Sequence, residues 1–138
     1  MFPSPGKRLS DLGNAFQTWE DAKYLFENKR LISAMNGIYY SMFYAVNALA
    51  LALDFKTSKH SSLISWFSKT IIQPGLLSQE IGEIYKNAFD LRHKGDYHDF
   101  AQLDQEEVLR LLEQTRPLIE TIQRLTHSVL DQNQPSVQ

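Results

Sequence analysis

Leu31-Ile32-Ser33-Ala34-Met35-Asn36-Gly37-Ile38-Tyr39-Tyr40-Ser41-Met42-Phe43-Tyr44-Ala45-Val46-Asn47-Ala48-Leu49-Ala50-Leu51-Ala52-Leu53 contains no charged residue. Its apolar positions Leu31, Ala34, Met35, Ile38, Met42, Ala45, Val46, Leu49 and Leu53 recur in steps of three and four, the period of a helix. A second row, Tyr40, Phe43 and Tyr44, covers much of the opposite side. A helix that is apolar nearly all round has to be surrounded by other helices. Gly37, Ala45, Ala48, Ala50 and Ala52 would let those neighbours come close. A run of about 20 apolar residues could also span a bilayer. Here, however, Ser33, Asn36, Ser41 and Asn47 interrupt the run and three tyrosines sit in its middle, whereas membrane tyrosines gather at the interfaces. The stretch is therefore expected to be the central helix of a soluble bundle, with no membrane span.

Working outward, the segment before it repeats Leu12, Phe16, Trp19, Ala22 and Phe26, a first amphipathic helix for which Ser10 is the expected N-cap. Residues 1–9, with two prolines and a glycine, are expected to be a flexible arm. After the spine, Asp54 to Lys59 is a polar connection, and His60-Ser61-Ser62 opens a shorter helix with Leu63, Ile64, Phe67 and Ile71 inward. Pro74-Gly75 ends it. A fourth helix from about Ser78 carries Ile81, Ile84, Tyr85, Ala88 and Leu91, with Gly95 as its expected C-terminal stop. The fifth starts at Asp104, with Glu107 at the third helical position and Leu103 and Val108 placed as a hydrophobic staple. Its apolar row runs through Leu111, Leu112, Leu118, Ile119, Ile122 and Leu125, with Pro117 expected to kink it or to expose one carbonyl. The polar residues 131–138 are expected to be a disordered tail. No strand-like alternation occurs. The expectation is an all-α, up-and-down helical bundle of four long helices plus a short one, occupying residues 10–130 as one domain.

The 138 residues carry a net charge of −2 and a pI near 6.1, so no global basic field attracts nucleic acid, and any RNA contact must be local. With no cysteine there are no disulfides, thiolate metal sites or cysteine nucleophiles, which fits a cytoplasmic protein.

The chemistry concentrates in Leu91-Arg92-His93-Lys94-Gly95-Asp96-Tyr97-His98. Arg92 is a permanent cation with a planar fork that suits phosphate, and His98 titrates near neutrality. The same residues also fit an inert helix end, with Arg92 capping the helix or pairing with Asp96 or Asp99. His60, at the head of its helix, is either a second functional imidazole or a histidine bonded to the Ser61–Ser62 turn. His93, Asp96, His98 and Asp99 do not share a helix face at ligand spacing, so no metal site and no cofactor are expected. The Tyr39, Tyr40, Phe43, Tyr44 row suits core packing or a dimer interface better than base stacking.

Several blocks together resemble one family. Tyr39-Tyr40-Ser41-Met42-Phe43-Tyr44-Ala45, His60 to Phe67, Gly75-Leu76-Leu77, Ala88 to Tyr97 and Glu106-Glu107 resemble, in order, the signature blocks of the HEPN superfamily, specifically its UPF0332 branch. The likeness covers roughly residues 15–125. It implies a helical bundle that dimerises. It further implies a metal-independent endoribonuclease, the toxin half of a toxin–antitoxin pair whose antitoxin has a nucleotidyltransferase fold. Arg92 and His98, with five residues between them, match the family's catalytic arginine–histidine motif, acting on RNA across a homodimer cleft. His93, Asp96, Tyr97 and His60 are the supporting candidates. Phe100 stands where some members carry a tyrosine that the partner enzyme modifies, so that modification cannot occur here. The alternative implied by the same likeness is a non-catalytic module that binds a nucleotidyltransferase partner or a nucleotide ligand.

Overall fold

The computed structural model describes the backbone of residues 5–97 and 103–132, and side chains within 10–93 and 103–132. Five α-helices follow one another: α1 (Pro5–Glu27), α2 (Leu31–Ala52), α3 (His60–Phe67), α4 (Gln79–Tyr97) and α5 (Gln105–Gln132). A π-helical turn, Ser68–Ile72, extends α3. Among the described residues there is no strand, so the architecture is the expected all-α bundle of four long helices and a short one.

The central helix behaves as its sequence demands. Ala34, Met35, Ile38, Tyr39, Met42, Ala45, Val46, Leu49 and Ala50 of α2 are all buried. Each fully buried large aliphatic side chain contributes about 1.5–3 kcal/mol relative to exposure. Helix α1 forms the most extensive interface with α2, followed by α5 and then α4. Gly37 explains how close α1 comes, since a Cβ built there would lie 3.0 Å from the Ala22 Cβ. Asn47 and Ser41, two of the polar residues that argued against a membrane span, have partners inside the bundle. The Asn47 amide donates to the buried Asp11 carboxylate at 3.1 Å, and the Ser41 hydroxyl donates to the Ile38 carbonyl at 2.7 Å. Among the described residues no helix is long and apolar enough to cross a membrane.

Helix α5 closes the bundle. The Asp104 carboxylate accepts from the Glu106 backbone N–H at 3.1 Å, and Leu103 and Val108 are both buried, as the capping pattern requires. The helix runs on through Pro117, whose carbonyl accepts from the Thr121 hydroxyl at 2.9 Å. Trp19 ties α1 to α5 by donating its indole N–H to the Leu112 carbonyl at 2.9 Å. Arg116 lies over the Phe16 and Trp19 rings while pairing with Glu20 at 3.0 Å.

Two expected boundaries move. Helix α1 already starts at Pro5, so the arm expected over residues 1–9 is helical from that point and Ser10 is an interior residue, not a cap. Proline is a good first helical residue because the amide hydrogen it lacks would have no intrahelical acceptor there. Helix α4 likewise continues through Gly95 to Tyr97, so glycine does not stop it, and Arg92 lies more than a turn before the end.

Candidate functional site

The site is built on Tyr39, whose ring is fully buried where α2, α3 and α4 meet. It stacks on His60 of α3 with centroids 5.5 Å apart, and on Tyr85 of α4 at 6.1 Å and nearly parallel. The Arg92 guanidinium carbon sits 5.3 Å from the same ring and 5.0 Å from the Tyr40 ring, close enough for cation–π attraction to both. Arg92 is steered further by α2: its Nε donates to Asn36 Oδ1 at 2.9 Å and its Nη2 to the Tyr40 hydroxyl at 3.3 Å. The helical offsets make this arrangement inevitable once α2 packs on α4. Asn36, Tyr39, Tyr40 and Phe43 are spaced by three and four along α2, so they form one row facing Arg92 and His60.

His60 is not bonded to the Ser61–Ser62 turn. Its Nδ1 lies 2.6 Å from the Tyr39 hydroxyl, because the first residue of α3 is carried over the aromatic row of α2 instead of out into the loop. The imidazole is also stacked on Phe43, with centroids 4.5 Å apart and planes 14° from parallel, and meets Tyr40 edge-on. His93, one residue beyond Arg92, packs against Phe89 in a T-shaped pair with centroids 4.3 Å apart. Tyr40, His60, Ser61, Phe89, Arg92 and His93 together line an open groove of about 310 Å³.

The electrostatics follow from burial and from the guanidinium. Burial pushes the Tyr39 hydroxyl up to about 12, although the Tyr85 hydroxyl and then Arg92 pull the other way. Burial, with a contribution from Tyr39, raises Tyr85 well above the ordinary tyrosine range. His60 is lowered, first by burial and then by the positive charges of Arg92 and His93, so its neutral form dominates at pH 7. A neutral imidazole beside a fixed guanidinium can donate to a phosphodiester oxygen while the cation holds the phosphate charge.

Of the residues singled out in the sequence, Arg92, His60 and His93 share the groove. His98, Asp99 and Phe100 lie outside the described residues, as do the side chains of Asp96 and Tyr97. Asn36, Tyr39 and Tyr40 were read as spine, and the structure adds them to the site. The available signal was the polar head of their row, an asparagine that begins an otherwise aromatic face of α2.

The described residues thus form an all-α bundle in which an arginine is set among aromatic rings beside two histidines. The HEPN domain profile matches residues 12–125, and the chain belongs to the HEPN domain family. A Thermotoga maritima "UPF0332 protein" is 36% identical over 106 residues, covering 77% of this chain and 80% of the relative. A Methanocaldococcus jannaschii protein named "Putative toxin" is 33% identical over 98 residues, covering 71% of this chain and 67% of its own length. A second protein of that organism with the same designation is 34% identical over 76 residues, 55% of this chain and 57% of the relative. The chain thus belongs to the HEPN domain family and is similar to two proteins named "Putative toxin".

Proposed function

We propose that the protein is a metal-independent endoribonuclease of the HEPN toxin type, acting in the cytoplasm as a homodimer and held in check by a nucleotidyltransferase-fold antitoxin. One observation carries the reading: the Arg92 guanidinium is aimed from α2 by Asn36 and Tyr40 into a groove that also presents imidazole groups. In the proposed reaction the 2′-oxygen of a ribose attacks the adjacent phosphorus. A base takes the 2′-hydroxyl proton, an acid protonates the departing 5′-oxygen, and the P–O5′ bond breaks. The products are a 2′,3′-cyclic phosphate end and a 5′-hydroxyl end. Arg92 holds the charge of the pentacoordinate phosphorus, and His98 is assigned the proton transfers. One histidine cannot act as base and acid in the same step, so two copies of His98 facing each other across a twofold axis would supply both.

The test is incubation of the purified full chain with RNA in EDTA. Cleavage is expected, and Arg92→Ala and His98→Ala should each lower it by about a hundredfold or more. A His98→Ala variant as active as the wild type would remove His98 from the mechanism.

The aromatic lining of the groove favours a second reading, a non-catalytic module in which Tyr40, Phe89 and Arg92 hold a nucleotide ligand or a nucleotidyltransferase partner. It requires no nuclease activity at any protein concentration, together with a thermal shift on adding a nucleotide or recovery of the partner by co-purification.

A further inference from the structure

The Tyr39–His60 contact determines which nitrogen of His60 carries the proton. Tyr39 is fully buried and keeps its proton throughout the physiological range. A phenol has one proton to give, so the 2.6 Å contact is either Tyr39 O–H donating to Nδ1 or Nδ1–H donating to the Tyr39 oxygen. In the second arrangement the buried phenol proton would need another acceptor. The hydroxyl on the parallel Tyr85 ring lies outside hydrogen-bond geometry, and its interaction with Tyr39 lowers the Tyr39 pKa with the Tyr39 oxygen as the accepting side, so it offers that proton no acceptor. Leaving such a proton unsatisfied in the core costs about 1–3 kcal/mol. The first arrangement is therefore the stable one: Nδ1 accepts, and the proton of the neutral imidazole sits on Nε2. Stacking on Phe43 and edge contact with Tyr40 hold the plane of the ring, and the 2.6 Å contact with Tyr39 sets which edge of it faces the phenol. His60 lines the same groove as Arg92, and Nε2 is the ring nitrogen that the Tyr39 contact leaves to bond elsewhere.

We propose that Tyr39 fixes His60 as a neutral Nε2–H donor and that His60 and Arg92 together grip one phosphate of a bound RNA strand. Arg92 supplies the charge and His60 a directional hydrogen bond. His60 is then a binding residue and not the base, because the nitrogen able to accept a proton is already occupied by Tyr39. The proposal rests on the RNA-cleaving reading above for its ligand, while the tautomer stands on the geometry alone. Tyr39 is a positioning residue, acting through His60.

The experiment uses the full chain and a single-stranded 2′-O-methyl oligoribonucleotide, which binds but cannot be cleaved. His60→Ala should weaken binding by about tenfold, the loss of one hydrogen bond to a charged group. His60→Gln, whose side-chain amide can present an N–H in place of Nε2–H, should restore binding to within about threefold of wild type. Glutamine as weak as alanine would overturn the donor role. Imidazole ¹⁵N spectra at neutral pH should show His60 protonated at Nε2 in the wild type and a mixture of tautomers in Tyr39→Phe. Protonation at Nδ1 in the wild type would overturn the positioning role. If the wild type binds no RNA, the RNA-cleaving reading fails, and a titration with inorganic phosphate then decides the site by itself. A shift of the His60 Nε2 resonance that disappears in Arg92→Gln supports the shared phosphate grip, and no shift overturns it.

Discussion

Arg92 Nε donates to Asn36 Oδ1 at 2.9 Å, so an amide on the buried spine sets the direction of a guanidinium on a neighbouring helix. Aromatic faces alone attract a cation without orienting its fork, whereas a hydrogen bond to one named nitrogen orients it. Replacing Asn36 by alanine should leave Arg92 over the Tyr39 and Tyr40 rings but free to swivel. RNA cleavage is expected to fall by about tenfold to a hundredfold, the scale of a misplaced catalytic group, while stability drops by only about 1 kcal/mol. Cleavage rates and urea midpoints measured on the same preparations check this; unchanged cleavage would show that Asn36 does not aim the guanidinium.

Two helical glycines should respond to alanine with opposite signs. At Gly37 a new Cβ would stand 3.0 Å from the Ala22 Cβ, an atom fixed to the α1 backbone that cannot rotate away. Forcing α1 and α2 apart costs about 1–3 kcal/mol, more than the up to about 1 kcal/mol that alanine gains over glycine in a helix. Gly13 is exposed and a Cβ there would meet nothing within 4 Å, so Gly13→Ala should raise stability by about 0.5–1 kcal/mol. Chemical denaturation of the two variants side by side gives the comparison.

The pH dependence of stability should show a shoulder on each side. Tyr39 titrates near 12 when folded against 10.0 as its ordinary value, so the folded state favours the protonated phenol. That contribution is complete below pH 10 and is lost as pH rises towards 12; Tyr85 acts in the same direction. For His60 the sign is reversed. Its folded value lies below 6.5, the folded state favours the neutral ring, and the contribution is complete above that pH and lost as pH falls below it. Urea unfolding across the pH range should therefore show Tyr39→Phe flattening the alkaline decline and His60→Gln flattening the onset of the acid one.

The fold was legible because the signals that specify helices are local. The three-and-four spacing of α2, the Asp104 cap and the Leu103–Val108 staple all act within one or two turns. The site was legible only in part. Arg92, His60 and His93 stand out as residue types, but their meeting depends on how α3 crosses the aromatic row of α2, and sequence spacing carries no record of that crossing. For the same reason Tyr39 read as core. It is core by burial, and what makes it part of the site is a hydroxyl 2.6 Å from a histidine 21 positions later. The ends of α1 and α4 were misplaced because Ser10 and Gly95 are capping residues by propensity, and the helices continue through them all the same.

The π-helical turn after α3 has a counterpart on α4. A Cβ built on Gly82 would lie 3.0 Å from Ile72 Cγ1, so the last residue of the wide turn fills the space that the glycine leaves open. The two positions are coupled. A Cβ at 82 makes the isoleucine side chain give by a few tenths of an ångström, and a larger side chain there asks for more. Across descendants of this sequence the two positions should therefore tend to be inherited as a linked pair, with a bulkier residue at 82 accompanied by a smaller one at 72.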